Sequence, residues 1–152
     1  MCDERTRAAE DEVIAQALAI LRRRTRKGAA IGSPRAVREY LQVQNIAREN
    51  EIFSVIFLDA QNRIISKDEM FTGTITSAAV YPREIVKAAM RYNAAAVILA
   101  HNHPSGISEP SSADASLTKH IKAALALVEV RVLDHFVIGA EGVSSFAENG
   151  LI

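Results

Sequence analysis

Cysteine is almost missing from this 152-residue chain, and Cys2, near the start, is the only one. One cysteine cannot build a disulfide framework or a cysteine-based zinc cluster within a single chain. Such sparse use fits a reducing compartment, where disulfides are rare. We interpret Cys2 as an inert terminal thiol.

Net charge and long apolar runs are also missing. Lys and Arg number 18 and Asp and Glu number 18, so no strong overall field indicates a nucleic acid or a membrane as partner. The longest apolar stretch, AAAVILA at residues 94–100, is far shorter than the roughly 20 residues that span a bilayer. The acidic start, MCDERTRAAEDE, lacks the apolar segment of a signal peptide. We therefore expect a soluble, cytoplasmic protein without a membrane partner.

The composition that is present suits one globular domain, with 49% hydrophobic and 24% charged residues. Apolar spacing predicts an N-terminal helix ending near Gly28, a second helix capped by Ser33 and beginning at Pro34, and helices over 81–93 and 110–128. Strand patterns cover 51–59, 63–71, 94–101, 130–139 and 142–148, with 71–80 as a short strand or a loop. This order predicts an α/β (α+β) fold: a central mixed β-sheet flanked by helices, with an N-terminal helix.

Two histidines end the most apolar predicted strand. Side chains two residues apart in a strand point to the same face, so His101 and His103 can converge on one point. Open α/β sheets place their ligands at this carboxyl end. The alternative is that one histidine bonds a backbone carbonyl while the other is solvated, because a two-residue motif is a weak signal.

An acidic residue in the following helix strengthens the metal interpretation. Thr118, Ile121 and Leu125 form a buried stripe on one side of the predicted helix over 110–128. Asp114 lies on the same side, in the first turn. A carboxylate there is costly unless something cationic neutralises it. Two histidines and one aspartate suit a catalytic Zn²⁺, with the fourth position left to water. The alternative is structural, because Ser111 and Asp114 have the spacing of a capping box that starts the helix.

Hydrolysis at such a metal also requires a general base, and a carboxylate near the metal is the usual choice. The glutamates available on chemistry alone are Glu49, Glu51, Glu69 and Glu109. Glu51 differs from the others because it opens a predicted buried strand in register with Phe53, Val55 and Phe57. We therefore select Glu51 as the candidate base.

The spacing of these residues is similar to that of a known motif. His101-x-His103-Pro104, six further residues and then Ser111-x-x-Asp114 resembles the JAMM motif of JAB/MPN-domain metalloproteins. The surrounding stretches EIFSVIFLD, VYPREIVKAAMRYNAAAVILAHNHPSG and VLDHFVIG resemble the RadC-type branch of that family. The resemblance spans roughly residues 30 to 152.

The resemblance implies a fold, a cofactor and roles for five residues. It implies a JAB/MPN, cytidine-deaminase-like fold with Zn²⁺ held by His101, His103 and Asp114. Glu51 matches the family's general base, and Ser111 matches the serine whose hydroxyl stabilises the oxyanion. Active members cleave peptide or isopeptide bonds, so a zinc-dependent metallopeptidase with a peptide or protein substrate is expected. RadC-type members are named as DNA repair proteins.

The resemblance also suggests a division of the chain. Full-length RadC-type proteins carry a longer N-terminal region with a helix-hairpin-helix element, whereas about thirty residues precede the shared domain in this chain. We expect a helical extension over 1–29 and a JAB/MPN domain over 30–152, as in short RadC-like proteins. The basic run Arg22–Lys27 is able to contact DNA phosphates, but such runs are more often solvated helix ends. The oligomeric state is left open, with a homo-oligomer among the alternatives.

Three other functions compete with a metallopeptidase. An HNH nuclease disperses its signature residues over a ββα element, whereas the three letters are contiguous in this chain. A zinc nucleobase deaminase requires a P-C-x-x-C ligand pair, which a single cysteine excludes. A non-enzymatic RadC-like DNA-repair accessory or scaffold module is the serious alternative. Five retained catalytic-type residues argue against it, since a scaffold has no physical need for them.

Two further histidines lie outside the motif. His120 is six residues beyond Asp114 on the predicted helix, too far along to share a metal with it, and we interpret it as partly exposed. His135 lies beside Asp134 in an otherwise apolar strand. We interpret His135 as a satisfied core histidine, with a partner that orients a metal ligand as the alternative.

Overall fold

The computed structural model describes residues 4–24, 28, 30–31, 34–45, 48–73 and 79–152. In chain order, these residues form four helices and five strands: α1 (Glu4–Arg24), α2 (Pro34–Asn45), β1 (Ile52–Leu58), β2 (Ile64–Thr72), α3 (Pro82–Arg91), β3 (Ala96–Asn102), α4 (Ser112–Ala126), β4 (Arg131–Gly139) and β5 (Gly142–Ser145). None of the helices in these ranges is long and apolar enough to cross a membrane.

The five strands form one mixed sheet in the order β2-β1-β3-β4-β5. Neighbouring strands are antiparallel except β3 and β4, which are parallel and connected through α4. A parallel pair needs such a crossover, and the crossover returns the chain to the amino end of β4. The predicted mixed sheet flanked by helices is confirmed.

Helices cover both faces of the sheet, which explains why β1 and β3 are buried along their whole length. One face packs against α3 and α4 through Phe53, Val55, Phe57, Val97, Leu99, Ile85, Ile121 and Leu125. The other face packs against α1 and α2 through Ile56, Leu58, Ile98, Phe136, Ile138, Leu21, Val37 and Leu41. The alternation of side chains along each strand therefore assigns every central residue to one of two cores.

One predicted strand is too long. The predicted strand over 142–148 ends at Ser145, and the chain turns immediately afterwards. The cause is the buried carboxylate of Asp134, which accepts hydrogen bonds from the hydroxyl of Ser145 at 2.6 Å and the backbone N–H of Ala147 at 3.0 Å. The N–H of Phe146 still donates to the carbonyl of His135 at 3.0 Å, its side chain enters the core, and the bonds to Asp134 then turn the chain away from β4.

Several other predictions fall outside the described residues or stay untested. Ser33, Cys2 and the middle of the segment 71–80 lie outside them, as does the second half of the basic run after Arg24. In α4 the predicted apolar stripe is present, and its polar member Thr118 is only 2% exposed. The division of the chain between residues 29 and 30 stays a prediction.

Candidate metal centre

The carboxyl end of β3 brings two imidazoles to one face of the sheet. His101 ends the antiparallel pairing with β1, opposite Phe53, and its ring stacks on the Phe53 ring with centroids 5.9 Å apart. His103 follows just beyond the strand, where its backbone N–H donates to the carbonyl of Ile138 in β4 at 2.8 Å. The alternation predicted from sequence is therefore observed, with Asn102 on the opposite face.

The third member of the cluster lies in the first turn of α4. Ser111 is the N-cap of this helix, and its hydroxyl accepts the backbone N–H of Asp114 at 3.0 Å. The Asp114 carboxylate accepts the backbone N–H of Ser111 in return at 2.8 Å, so both bonds of a capping box are present. The cap fixes the carboxylate at the end of β3 instead of competing with a metal role.

The three side chains meet at short distances. Asp114 Oδ1 lies 3.2 Å from His101 Nε2, and Asp114 Oδ2 lies 3.2 Å from His103 Nε2. The two Nε2 atoms are 2.9 Å apart. The candidate ligand atoms all lie within 4.8 Å of one another. The side chain of His101 is 2% exposed, whereas those of His103 and Asp114 are 17% and 14% exposed, so the cluster opens to solvent on one side.

The hydrogen bond of His103 fixes which of its ring nitrogens carries hydrogen. His103 Nδ1 lies 2.8 Å from the carbonyl oxygen of Ile107. A carbonyl can only accept, so Nδ1 carries the hydrogen and the neutral ring has its lone pair on Nε2. That lone pair faces the cluster.

A buried chain of hydrogen bonds gives the same result for His101. Thr118 donates its hydroxyl hydrogen to the backbone carbonyl of Asp114 at 2.7 Å, so it accepts from His135 Nδ1 at 2.6 Å. His135 Nε2 then has the lone pair and accepts from His101 Nδ1 at 2.8 Å. The lone pair of His101 is left on Nε2, facing Asp114. Burial lowers the pKa of His135 well below its ordinary value, which agrees with a neutral ring.

When both rings are neutral, four acceptor positions therefore converge: the two imidazole lone pairs and the two carboxylate oxygens of Asp114. Burial alone would raise the pKa of Asp114, but its contacts with His101 and His103 outweigh burial and hold the pKa well below the usual range. An ionised carboxylate beside two lone pairs is repulsive unless a metal cation, or a proton on His103, whose pKa is raised chiefly by the contact with Asp114, lies among them. The donor set fits a divalent metal ion.

Glu51 lies at the same end of the sheet but outside this cluster. It immediately precedes β1, two residues before Phe53, which pairs with His101. Its carbonyl oxygen accepts the backbone N–H of Gly73 at 2.8 Å. The hydrogen bond to Asp114 is the main cause of a raised pKa at His103, and the charge of Glu51 acts in the same direction. The structure thus brings Glu51 within electrostatic reach of the cluster.

The remaining candidates are exposed or have other partners. Glu69 pairs with Arg48 at 2.6 Å, while Glu49 and Glu109 are exposed. His120 is exposed on α4, as predicted. His135 is fully buried and also bonds His101. Both interpretations of His135 therefore apply, because it is a core histidine and also contacts a candidate metal ligand.

Sequence reasoning missed the role of two polar residues. The sequence indicates Thr118 only as a member of the buried stripe, and the spacing of the two histidines gives Asn102 no role. The available signal was polarity at a buried position, since a buried hydroxyl or amide needs a partner. The partners themselves lie on other elements and could not be read from local spacing.

These features define an α/β protein with a candidate metal centre at the carboxyl end of its central strand. The family model described as RadC-like JAB domain matches residues 31–151. The chain belongs to this family, and its mixed sheet with flanking helices is consistent with the JAB/MPN fold.

Curated relatives carry the description UPF0758 protein. Those of Methylibium petroleiphilum and Leptothrix cholodnii are each 59% identical over 120 residues, covering 79% of this chain and 54% of theirs. That of Pseudoalteromonas translucida is 53% identical over 132 residues, covering 87% of this chain and 59% of its own. The chain thus spans little more than half the length of these relatives.

Proposed function

We propose that this protein is a zinc-dependent metallohydrolase that cleaves a peptide or isopeptide bond. The observation that carries the proposal is the convergence of two Nε2 lone pairs and an ionised carboxylate on one point, open on one side. Three protein ligands and an accessible fourth position are typical of catalytic zinc sites. Active JAB-domain proteins, which this chain resembles, cleave such bonds.

Each residue of the site has a chemical role in this proposal. His101, His103 and Asp114 would hold the zinc, which would supply Lewis-acid activation of water by lowering the pKa of that water toward neutrality. Glu51 accepts a proton from the attacking water and passes it to the leaving amine. The Ser111 hydroxyl accepts the Asp114 N–H and still carries its own hydrogen, which it can donate to the oxyanion of the substrate.

A metal-binding measurement tests the ligand assignment. We expect purified protein to take up zinc near one equivalent, and the His101→Ala/His103→Ala variant to lose it. His120→Ala is the matched control, because His120 is exposed on α4 and should not affect uptake. Wild-type protein that binds no zinc would remove the basis of the proposal.

A second measurement separates an enzyme from a scaffold. Glu51→Gln should keep the zinc and lose cleavage of a fluorogenic peptide library and of a peptide with a lysine isopeptide bond. Glu109→Gln is the control, because Glu109 is exposed. Unchanged cleavage by Glu51→Gln would exclude Glu51 as the base.

A DNA-repair accessory is the alternative, and one observation favours it. The last turn of α1 presents three exposed arginines, Arg22, Arg23 and Arg24. Replacing all three with Ala should weaken duplex-DNA binding and reduce its salt dependence if these side chains contact phosphates. Absence of DNA binding by the wild type at low salt would contradict this alternative.

A further inference from the structure

Asn102, the residue between the two candidate histidine ligands, makes an unusual pair of contacts. Its side chain is on the face of β3 opposite the imidazoles, and the residue is 3% exposed. Oδ1 accepts the backbone N–H of Ile52 at 2.7 Å, and Nδ2 donates to the backbone carbonyl of Asn50 at 3.0 Å. The amide therefore binds the backbone immediately before and immediately after Glu51.

Through these contacts, the Asn102 side chain continues the hydrogen bonding between β1 and β3 beyond the last paired residues. The β1–β3 ladder ends at the pairing of Phe53 with His101, so the segment before Phe53 has no further strand partner in β3. The planar amide of Asn102 supplies one acceptor and one donor to this segment. A carboxylate can accept but cannot donate, and a hydroxyl has a single atom for both contacts. Only Asn or Gln chemistry satisfies both backbone groups.

The backbone of Glu51 is also held from the other side. Its carbonyl accepts the N–H of Gly73, just after β2, at 2.8 Å. Three hydrogen bonds, two from the Asn102 side chain and one from Gly73, thus hold the backbone around Glu51. The two from Asn102 connect Glu51 to the residue that lies between His101 and His103.

We propose that Asn102 is a positioning residue that sets the place of Glu51 relative to the metal ligands. The inference rests on the proposed function, in which Glu51 is the base. The ligands themselves have independent supports: His101 is held by His135, and His103 is held through both its ring and its backbone. Loss of the amide should therefore displace Glu51 and leave zinc binding intact.

The test compares Asn102→Asp with a matched substitution on α2. Asn102→Asp keeps the shape and the acceptor but loses the donor to Asn50. Asn45→Asp is the control, because the Asn45 amide also donates to a backbone carbonyl, that of Leu41, at 2.7 Å. We expect Asn102→Asp to keep wild-type zinc affinity and KM while kcat falls on the order of 10- to 100-fold. The control should show no change in these values.

Amide hydrogen exchange measures the positioning without relying on activity. The backbone amides of Ile52 and Gly73 should exchange about fivefold faster in zinc-loaded Asn102→Asp, since one hydrogen bond is worth roughly 1 kcal/mol. Asn102→Thr likewise keeps at most one of the two contacts, so its amides should exchange about as fast as those of Asn102→Asp. This variant also covers the case in which a buried aspartate prevents folding.

The outcomes separate this inference from the proposed function. A wild type that cleaves no peptide contradicts the proposed function, while faster exchange confined to the Glu51 segment with unchanged zinc affinity would still support the role of Asn102. Wild-type exchange and wild-type kcat in Asn102→Asp would overturn it. A parallel loss of zinc affinity would also overturn it, because Asn102 would then act on the ligands.

Discussion

His135 lies directly behind His101, with its Nε2 2.8 Å from His101 Nδ1. The His135 ring is fully buried and stacks on Phe146, with centroids 4.7 Å apart. Metal-binding histidines commonly donate their second nitrogen to a carboxylate, a carbonyl or water. Behind the candidate ligand His101 the acceptor is a neutral imidazole in the core, and the hydroxyl of Thr118 orients it. The direction of the His101 lone pair is therefore set by the hydrophobic core.

Replacing His135 should weaken metal binding without removing a ligand. His135→Phe fills the space but cannot accept from His101, so we expect zinc affinity to fall about 10- to 100-fold. His135→Gln, which can accept, should lose less. Chelator competition measures the affinity, and ¹⁵N chemical shifts report the His101 tautomer. The exposed His120→Phe variant is the control, and wild-type affinity in His135→Phe would contradict the role.

Gly139 packs closely against the loop that follows His103, so a substitution at Gly139 should affect the metal site indirectly. A Cβ at Gly139 would lie 2.3 Å from the carbonyl oxygen of Gly106 and 2.7 Å from the backbone N of Ser108. Gly139→Ala must displace the loop that joins His103 to Asp114, costing roughly 1–3 kcal/mol of unfolding free energy. Zinc affinity, measured by calorimetric titration, should fall as well.

A second glycine provides the control for this substitution. At Gly150 a Cβ would meet nothing within 4 Å, but φ is +68°. Gly150→Ala therefore introduces backbone strain without a steric clash, and it should lower stability while zinc affinity stays at the wild-type value. Equal zinc affinity in the two variants would show that the loop tolerates displacement.

Ser111 has a structural and a proposed catalytic role that two substitutions separate. Its hydroxyl caps α4 through the Asp114 N–H at 3.0 Å. Ser111→Ala should cost about 1 kcal/mol of stability, whereas Ser111→Gly should cost only a few tenths. Both lose the hydroxyl, so both should lose kcat equally if it stabilises the oxyanion. Thermal denaturation measures the change in stability, and peptide turnover measures the change in kcat. If kcat fell more in Ser111→Ala than in Ser111→Gly, in parallel with stability, Ser111 would have only the capping role.

Local patterns were sufficient for most of the fold. The strands around Val55 and Ile98 were predictable because burial on both faces produces continuous apolar runs. The last strand was predicted too long because its end depends on the side chain of Asp134, a residue of another strand. Sequence spacing carries no information about such a contact between strands.

The same distinction applies to the site. His101 and His103 are related by strand alternation, and Asp114 by its place in a helix turn, so local geometry predicts all three. The contact of His135 with His101 depends on the parallel pairing of β3 with β4. Pairing register is a tertiary property that one sequence does not reveal, which is why the role of His135 was open.

A partly buried lysine away from the site predicts how stability depends on pH. Lys67 on β2 lies against α2, with Nζ 3.0 Å from the Tyr40 hydroxyl and in contact with Gln44 Oε1. Burial is the main cause that lowers its pKa from 10.5 to about 7, and the nearby Arg22 and Arg48 act in the same direction while Glu69 opposes them. The folded protein therefore releases this proton more readily than the unfolded chain.

Between about pH 7 and about pH 10 the unfolded chain binds the Lys67 proton and the folded protein does not, so the free energy of unfolding should rise with pH. Below that window both states are protonated, and this contribution no longer changes. Lys67→Met removes the titrating group and should flatten the rise, as measured by urea denaturation at several pH values. Lys119→Met, at an exposed position on α4, is the control and should keep the wild-type slope. An unchanged slope in Lys67→Met would show that the ammonium group is not desolvated by folding.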